Sequence, residues 1–189
     1  LKNVGYNYEL FTVKTPGGVE VDGWCVKPSD FDPLKKYPVL FYVYNEPASQ
    51  TVLDKYDGFM GLFHKIIADK GYIVMSVDGR GTPAPKGREW RKSIYQKIGV
   101  ISTEDQAGAL QTLLNERPYM DATKVGVWGW SGGGSMTLNM MFRHPKSYHF
   151  GISVAPVTDL RFYDTIYEER YMGLPQDSPE AYKECSPVT

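Results

Sequence analysis

The sequence predicts an α/β fold, a doubly wound and mostly parallel sheet with helices on both faces and an antiparallel hairpin at one edge. Three observations lead there. Apolar strand-like runs alternate with helix-periodic segments from residue 38 to 155, the order that builds a parallel sheet through helical crossovers. The central runs are apolar throughout rather than alternating, as strands covered on both faces are. Ahead of them, two alternating segments flank a tight turn, which is a hairpin signal.

The hairpin strands are YELFTV at 8–13 and VEVDGWCV at 19–26, joined by TPGG. Pro28, Pro33 and Pro38 frame a loop, and PVLFYVY at 38–44 is the first buried strand. In GFMGLFHKIIADKG, Phe59, Leu62, Phe63, Ile66 and Ile67 recur at helical spacing, and Gly71 sits where the helix should stop. YIVMSVD at 72–78 is the next strand, followed by the Gly- and Pro-rich loop DGRGTPAPKG. Ser102 with Asp105, or Thr103 with Gln106, offers a cap for a helix reaching Glu116, with Ala109, Leu110, Leu113 and Leu114 on its apolar face. KVGVWGW at 124–130 is a strand, GGSMTLNMMFRH a helix stopped by Pro145, and residues 151–155 a last strand. No internal repeat or low-complexity tract interrupts this order.

The 189 residues fit one domain, 1–189, large enough to bury a core without staples. A formal net charge of -1 gives no general attraction to nucleic acid or anionic lipid. No apolar run reaches the roughly 18 residues of a membrane span, and the start, LKNVGYNYELF, lacks the pattern of a signal peptide. Cys25 and Cys185 fall in different elements and read as two thiols rather than a disulfide. No His/Cys/Asp cluster has ligand spacing, so neither metal nor cofactor is expected. The absence of an initiator Met, and an end at CSPVT after a helix-like segment, make the chain read as part of something longer.

The sharpest local signal is Gly129-Trp130-Ser131-Gly132-Gly133. This is G-x-S-x-G between a buried strand and a helix, the nucleophile elbow of the α/β-hydrolase fold. Ser131 must stand on a strained turn with its hydroxyl leaving the sheet, and Gly129 and Gly133 carry no Cβ to obstruct that turn. The helix beginning behind it favours developing negative charge, and the Gly132 amide is an oxyanion donor. A dinucleotide or phosphate loop is the rival for a Gly-rich turn, but neither G-x-G-x-x-G nor G-K-[ST] occurs here. A serine hydroxyl needs a base, and the base an orienting carboxylate. His64 reads as a partly exposed helix residue. His144 ends the helix after the elbow, about 15 Å from Ser131. His149 starts the next strand at the wrong end. None is a convincing base, and in this fold the acid and the histidine follow the serine. Both are therefore expected beyond residue 189.

DGRG at 78–81, WGWSGG at 128–133, VAPVTDLRFYD at 154–164 and YEERYMGLP at 167–175 resemble the catalytic domain of the prolyl oligopeptidase family of serine peptidases, and within it the dipeptidyl peptidase IV group. The resemblance covers essentially the whole chain. It implies a peptidase releasing N-terminal Xaa-Pro or Xaa-Ala dipeptides through an acyl-enzyme at Ser131. It also implies an oxyanion site made by Tyr44 and the amide of Gly132, and an apolar pocket walled by Val157, Tyr163 and Tyr167. By spacing alone, Phe162, Tyr163, Ile166 and Tyr167 read equally as core. An acyl-peptide hydrolase or oligopeptidase of the same family, a carboxylesterase, and a non-catalytic interaction domain are the alternatives. The resemblance further implies a peptide substrate, no cofactor, a β-propeller preceding this region, a homodimer, and a periplasmic or secreted location. Three departures stand out: Gly132 where relatives carry tyrosine, Leu160 where they carry tryptophan, and Asn45-Glu46 where they carry small residues. The adjacent Glu168 and Glu169 match no amine-binding segment of the family.

Overall fold

The computed structural model describes residues 8–189. Its sheet has six strands: β1 (Tyr8–Lys14), β2 (Glu20–Val26), β3 (Tyr37–Tyr42), β4 (Ile73–Asp78), β5 (Met120–Trp130) and β6 (Phe150–Val154). They lie in the order β1-β2-β4-β3-β5-β6. β4, β3, β5 and β6 are parallel, and β2 pairs antiparallel with both β1 and β4. The expected mixed sheet with an antiparallel hairpin at one edge is therefore present. The hairpin turn closes by hydrogen bonds from Gly18 N–H to the Thr15 carbonyl and from Thr15 N–H to the Val19 carbonyl.

The described residues form six α-helices: α1 (Gly58–Asp69), α2 (Gly87–Lys92), α3 (Ile101–Glu116), α4 (Gly132–Arg143), α5 (Thr165–Met172) and α6 (Pro179–Cys185). One core face joins Val39, Phe41, Ile73, Met75, Val125 and Val127 of the strands to Ala109, Leu110 and Leu113 of α3 and to Met136 and Met140 of α4. These residues are the continuous apolar runs and helix stripes of the sequence, and their burial is the dominant favourable term in folding. The opposite face is smaller and aromatic, with Trp24, Val26 and Val74 against Ala68 of α1. Cys25 and Cys185 are both free and buried. No helix among the described residues is long and apolar enough to cross a membrane.

Three expectations need correction. First, α1 turns only Ile67 of its five large apolar residues into the core: Gly61, His64, Lys65 and Ala68 are buried, whereas Phe59 is 80% exposed and Leu62, Phe63 and Ile66 are also open to solvent. The reason is the aromatic shelf beneath. Trp24, Tyr42 and Trp128 already fill that layer, so small residues let the helix approach and one flat ring slots in. That ring is His64, only 1% exposed and not partly exposed as expected, with ring centroids of Trp24 and Tyr42 both at 5.0 Å. Second, α3 has no side-chain cap. Asp105 instead binds Arg80, and Gln106 donates to the Val77 carbonyl. Third, residues 87–92, with no element assigned from the sequence, form α2.

Candidate active site

The site is built at the carboxyl ends of β3 and β5. Ser131 follows β5 with φ +57° and ψ -117°, and its amide donates to the Val154 carbonyl of β6 at 2.9 Å. A positive φ is uncommon for a residue with a Cβ and marks strain held by its surroundings. Those surroundings require glycine: a Cβ on Gly129 would lie 2.3 Å from the Gly133 carbonyl oxygen and 2.5 Å from that of Val43, and a Cβ on Gly133 would lie 2.2 Å from the latter. The close approach of β5, α4 and the end of β3 thus allows no side chain at either position. Gly132 is the first residue of α4, so its amide belongs to the helix N-terminus, where unsatisfied N–H groups favour negative charge.

Tyr44 lies just past β3 and lines the same cavity as Ser131. Burial pushes the Tyr44 hydroxyl above its ordinary pKa, and the neighbouring Ser131 side chain partly offsets this. The loop carrying Tyr44 is anchored by Asn45, which is buried at φ +50°. Its Oδ1 accepts from the Gly79 amide at 2.6 Å and from Gln106 Nε2 at 2.9 Å, and its Nδ2 donates to the Arg80 carbonyl at 3.2 Å. Arg80 in turn binds Asp105 through Nη2 and Nε, at 2.8 and 3.1 Å to Oδ1. The DGRG loop is therefore a brace that connects α3 to the Tyr44 loop. Asp78 at its start accepts from the amides of Thr51 and Val52.

Ser131, Gly132 and Tyr44 line one cavity of about 280 Å³ together with Val157, Tyr163 and Tyr167. Val157 is clasped to α4, because Ser135 Oγ donates to its carbonyl at 2.7 Å and accepts from its amide at 2.9 Å. Asp164 caps α5, accepting from the amides of Ile166 and Tyr167, and so fixes the helix that presents Tyr167. The core reading of this segment fails: Phe162 and Ile166 are both more than four-fifths exposed. All six residues singled out from the sequence thus meet in one place. Leu160, buried, lines the same cavity.

None of the three histidines lines that cavity. Burial drives the His64 pKa down to about 4, and its Nε2 has no hydrogen-bond partner among the described residues. His144 is the C-terminal cap of α4, and His149 Nδ1 accepts from the Val125 amide at 3.2 Å. Ser131 therefore has an oxyanion-type surrounding but no imidazole beside it within the described residues. No group of three or more His, Cys, Asp or Glu among them has a metal-holding arrangement.

Two further residues belong to the site: Glu46, noted in the sequence only as a departure beside Tyr44, and Glu168, given no role there. Both line the cavity. Glu46 accepts a hydrogen bond from the Tyr167 hydroxyl. Burial raises its pKa to about 7; Glu168 rises to about 8, by burial first and then by the charge of Glu46. The one available signal was the departure at Asn45-Glu46.

A mostly parallel sheet with a serine on a strained strand-to-helix elbow defines the α/β-hydrolase class. Within that class, the chain belongs to the prolyl oligopeptidase family, whose sequence profile matches residues 59–189. Dipeptidyl-aminopeptidase B of Aspergillus niger is 42% identical over 174 residues, covering 89% of this chain and 19% of that protein. The crystal structure of Porphyromonas gingivalis dipeptidyl peptidase 4 superposes with a TM-score of 0.90 at 45% identity, covering 96% of this chain and 25% of that one. A solved structure from Bacteroides ovatus superposes with a TM-score of 0.89 at 36% identity over 96% of this chain. The chain thus spans about a fifth of the curated relatives it matches and about a quarter of the solved ones.

Proposed function

We propose that these residues are part of the catalytic domain of a serine dipeptidyl peptidase, which releases N-terminal Xaa-Pro or Xaa-Ala dipeptides. The observation that carries the reading is the convergence in one cavity of Ser131 on its elbow, Tyr44, the Gly132 amide, and the pocket walls Val157, Tyr163 and Tyr167. Ser131 Oγ attacks the carbonyl carbon after the penultimate residue, whose side chain sits in the pocket. The hydroxyl proton passes to a base contributed from outside the 189 residues and then to the leaving amine. The Tyr44 hydroxyl and the Gly132 amide hold the oxyanion, which is where most such rate enhancement resides. Water then hydrolyses the acyl-enzyme. The names of the relatives support dipeptide release, and the family resemblance supports the Xaa-Pro and Xaa-Ala preference, a preceding β-propeller and a homodimer in the whole protein.

The test is turnover by the full-length protein of Xaa-Pro and Xaa-Ala reporters, with the amino terminus free or blocked. Cleavage of the free reporters alone is the expected result. Preference for blocked reporters would move the reading to an acyl-peptide hydrolase or oligopeptidase. An ester hydrolysed far faster than any peptide, relative to its uncatalysed rate, would make it a carboxylesterase. No turnover of any would leave an interaction domain.

A further inference from the structure

The cavity beside Ser131 contains two carboxylates and no cation. Glu46 and Glu168 are among its lining residues, and among the described residues no lysine, arginine or histidine is. Neither glutamate takes part in an ion pair among the described residues. Glu168 is 3% exposed, and its Oε2 has no hydrogen-bond partner there. Glu46 has one, the Tyr167 hydroxyl. Its carboxyl group lies against Gly132, where an added Cβ would come within 2.3 Å of Cδ and Oε1. A buried carboxylate beside a second, partly buried one, with no counter-ion among the described residues, is costly: the two must share protons or be given a positive charge. The rest of the lining suits a hydrocarbon stem leading to such a charge, with Ile98, Met136, Val157 and Leu160 contributing apolar surface.

We propose that Glu46 and Glu168 form a cation-binding floor in this cavity, so that the enzyme accepts a lysine-like side chain, a primary ammonium on an alkyl stem, at the residue whose carbonyl Ser131 attacks. This rests on the peptidase reading of the same site and extends its substrate class beyond proline and alanine. An ammonium carries three donors and no acceptor, so it can answer the free Glu168 oxygen and Glu46 together. Charge-assisted hydrogen bonds are the stronger kind, most of all away from water. An uncharged stem of the same length would leave the Glu168 oxygen unanswered and Glu46 with only the Tyr167 hydroxyl, and a site with unpaired buried polar groups discriminates strongly against such an analogue.

The experiment compares the full-length protein and its Glu168→Gln variant, each checked for native folding by circular dichroism. Dipeptidyl reporters differ only in the penultimate residue: proline, alanine, lysine or norleucine. Binding of n-butylammonium chloride and of 1-butanol is measured alongside by calorimetry, which needs no turnover. Where reporters are cleaved, the lysine-to-norleucine ratio of kcat/KM decides. A ratio of at least about tenfold, falling towards one in the variant, is expected. A ratio near or below one, or one unchanged by the substitution, overturns the proposal while leaving the dipeptidyl reading intact. Where no reporter is cleaved, the dipeptidyl reading fails and calorimetry decides. Preference for n-butylammonium that is lost in Glu168→Gln sustains the cation floor, and no preference removes it.

Discussion

Replacing Glu168 by glutamine should stabilise the fold in a pH-dependent way, and the size follows from the site. In the unfolded chain a glutamate ionises near its ordinary value of 4.5, whereas in the fold burial and the charge of Glu46 hold the proton on Glu168 until about pH 8. Above about pH 5 the folded state therefore binds more protons than the unfolded state, and stability falls as pH rises, until the folded pKa is passed. Each tenfold change in proton affinity is worth about 1.4 kcal/mol, so between about pH 6.5 and about pH 8.5 this single group removes about 2 kcal/mol. Glutamine has no proton to lose and keeps the shape. His64 works in the other direction: its folded pKa of about 4 lies below the ordinary 6.5, so its contribution rises as pH increases through that window. His144, also shifted down, has the same sign.

Both histidines are common to the two proteins and cancel in the difference. The assay is equilibrium urea unfolding of the chain and of Glu168→Gln at the two pH values. The stability difference should move in favour of glutamine by about 2 kcal/mol at the higher pH. If it stays constant within about 0.5 kcal/mol, Glu168 ionises in the fold as it does in water, and the description of the cavity as a desolvated acidic site is wrong.

Other substitutions probe the remaining parts. Ser131→Ala should abolish labelling by a fluorophosphonate probe and reduce turnover of the full-length protein on the order of 10⁶-fold; residual turnover close to wild type would remove Ser131 as nucleophile. Gly129→Ala forces a Cβ against two backbone carbonyl oxygens that cannot move aside, and a loss of about 2–4 kcal/mol in urea unfolding is expected. Arg80→Ala leaves the Asp105 carboxylate, 2% exposed, without its ion-pair partner, at an expected cost of about 3–5 kcal/mol by the same measurement.

What the sequence made legible was what local pattern encodes. Residues 38–44 and 72–78 had to be interior strands because no polar face was available to them, and Thr15–Gly18 had to turn. Ser131 was readable because the elbow needs glycine at Gly129 and Gly133 for reasons local to a strand–turn–helix. What was illegible depends on which surface an element meets. The five apolar residues of α1 specify a helix but not its rotation, since the aromatic shelf of Trp24, Tyr42 and Trp128 comes from three separate strands. Ser102, Thr103, Asp105 and Gln106 look like caps, and Asp105 and Gln106 are instead drawn into the brace that holds Arg80 and Asn45. Glu46 stood out in the sequence beside Tyr44, but only the fold brings positions 46 and 168 into one cavity.

Gly132 and Glu46 looked in the sequence like two unrelated departures, and they occupy one volume. The space a side chain at position 132 would enter is filled by the Glu46 carboxyl group. The two positions should therefore be coupled. Alanine is intrinsically the better helix residue, by up to about 1 kcal/mol over glycine in a helix interior, so Gly132→Ala would be harmless or mildly stabilising at the start of α4 were the neighbouring space open. With Glu46 present, the new Cβ displaces a carboxyl group that is held by the Tyr167 hydroxyl, and a cost of about 1–3 kcal/mol is expected. In a Glu46→Gly background that cost should disappear. A double-mutant cycle by urea unfolding should then give a coupling of about 1–3 kcal/mol. Equal effects of Gly132→Ala in both backgrounds would place the strain in the elbow backbone rather than in this contact. The absence of a side chain at Gly132 would then have no connection with the acid that lies against it.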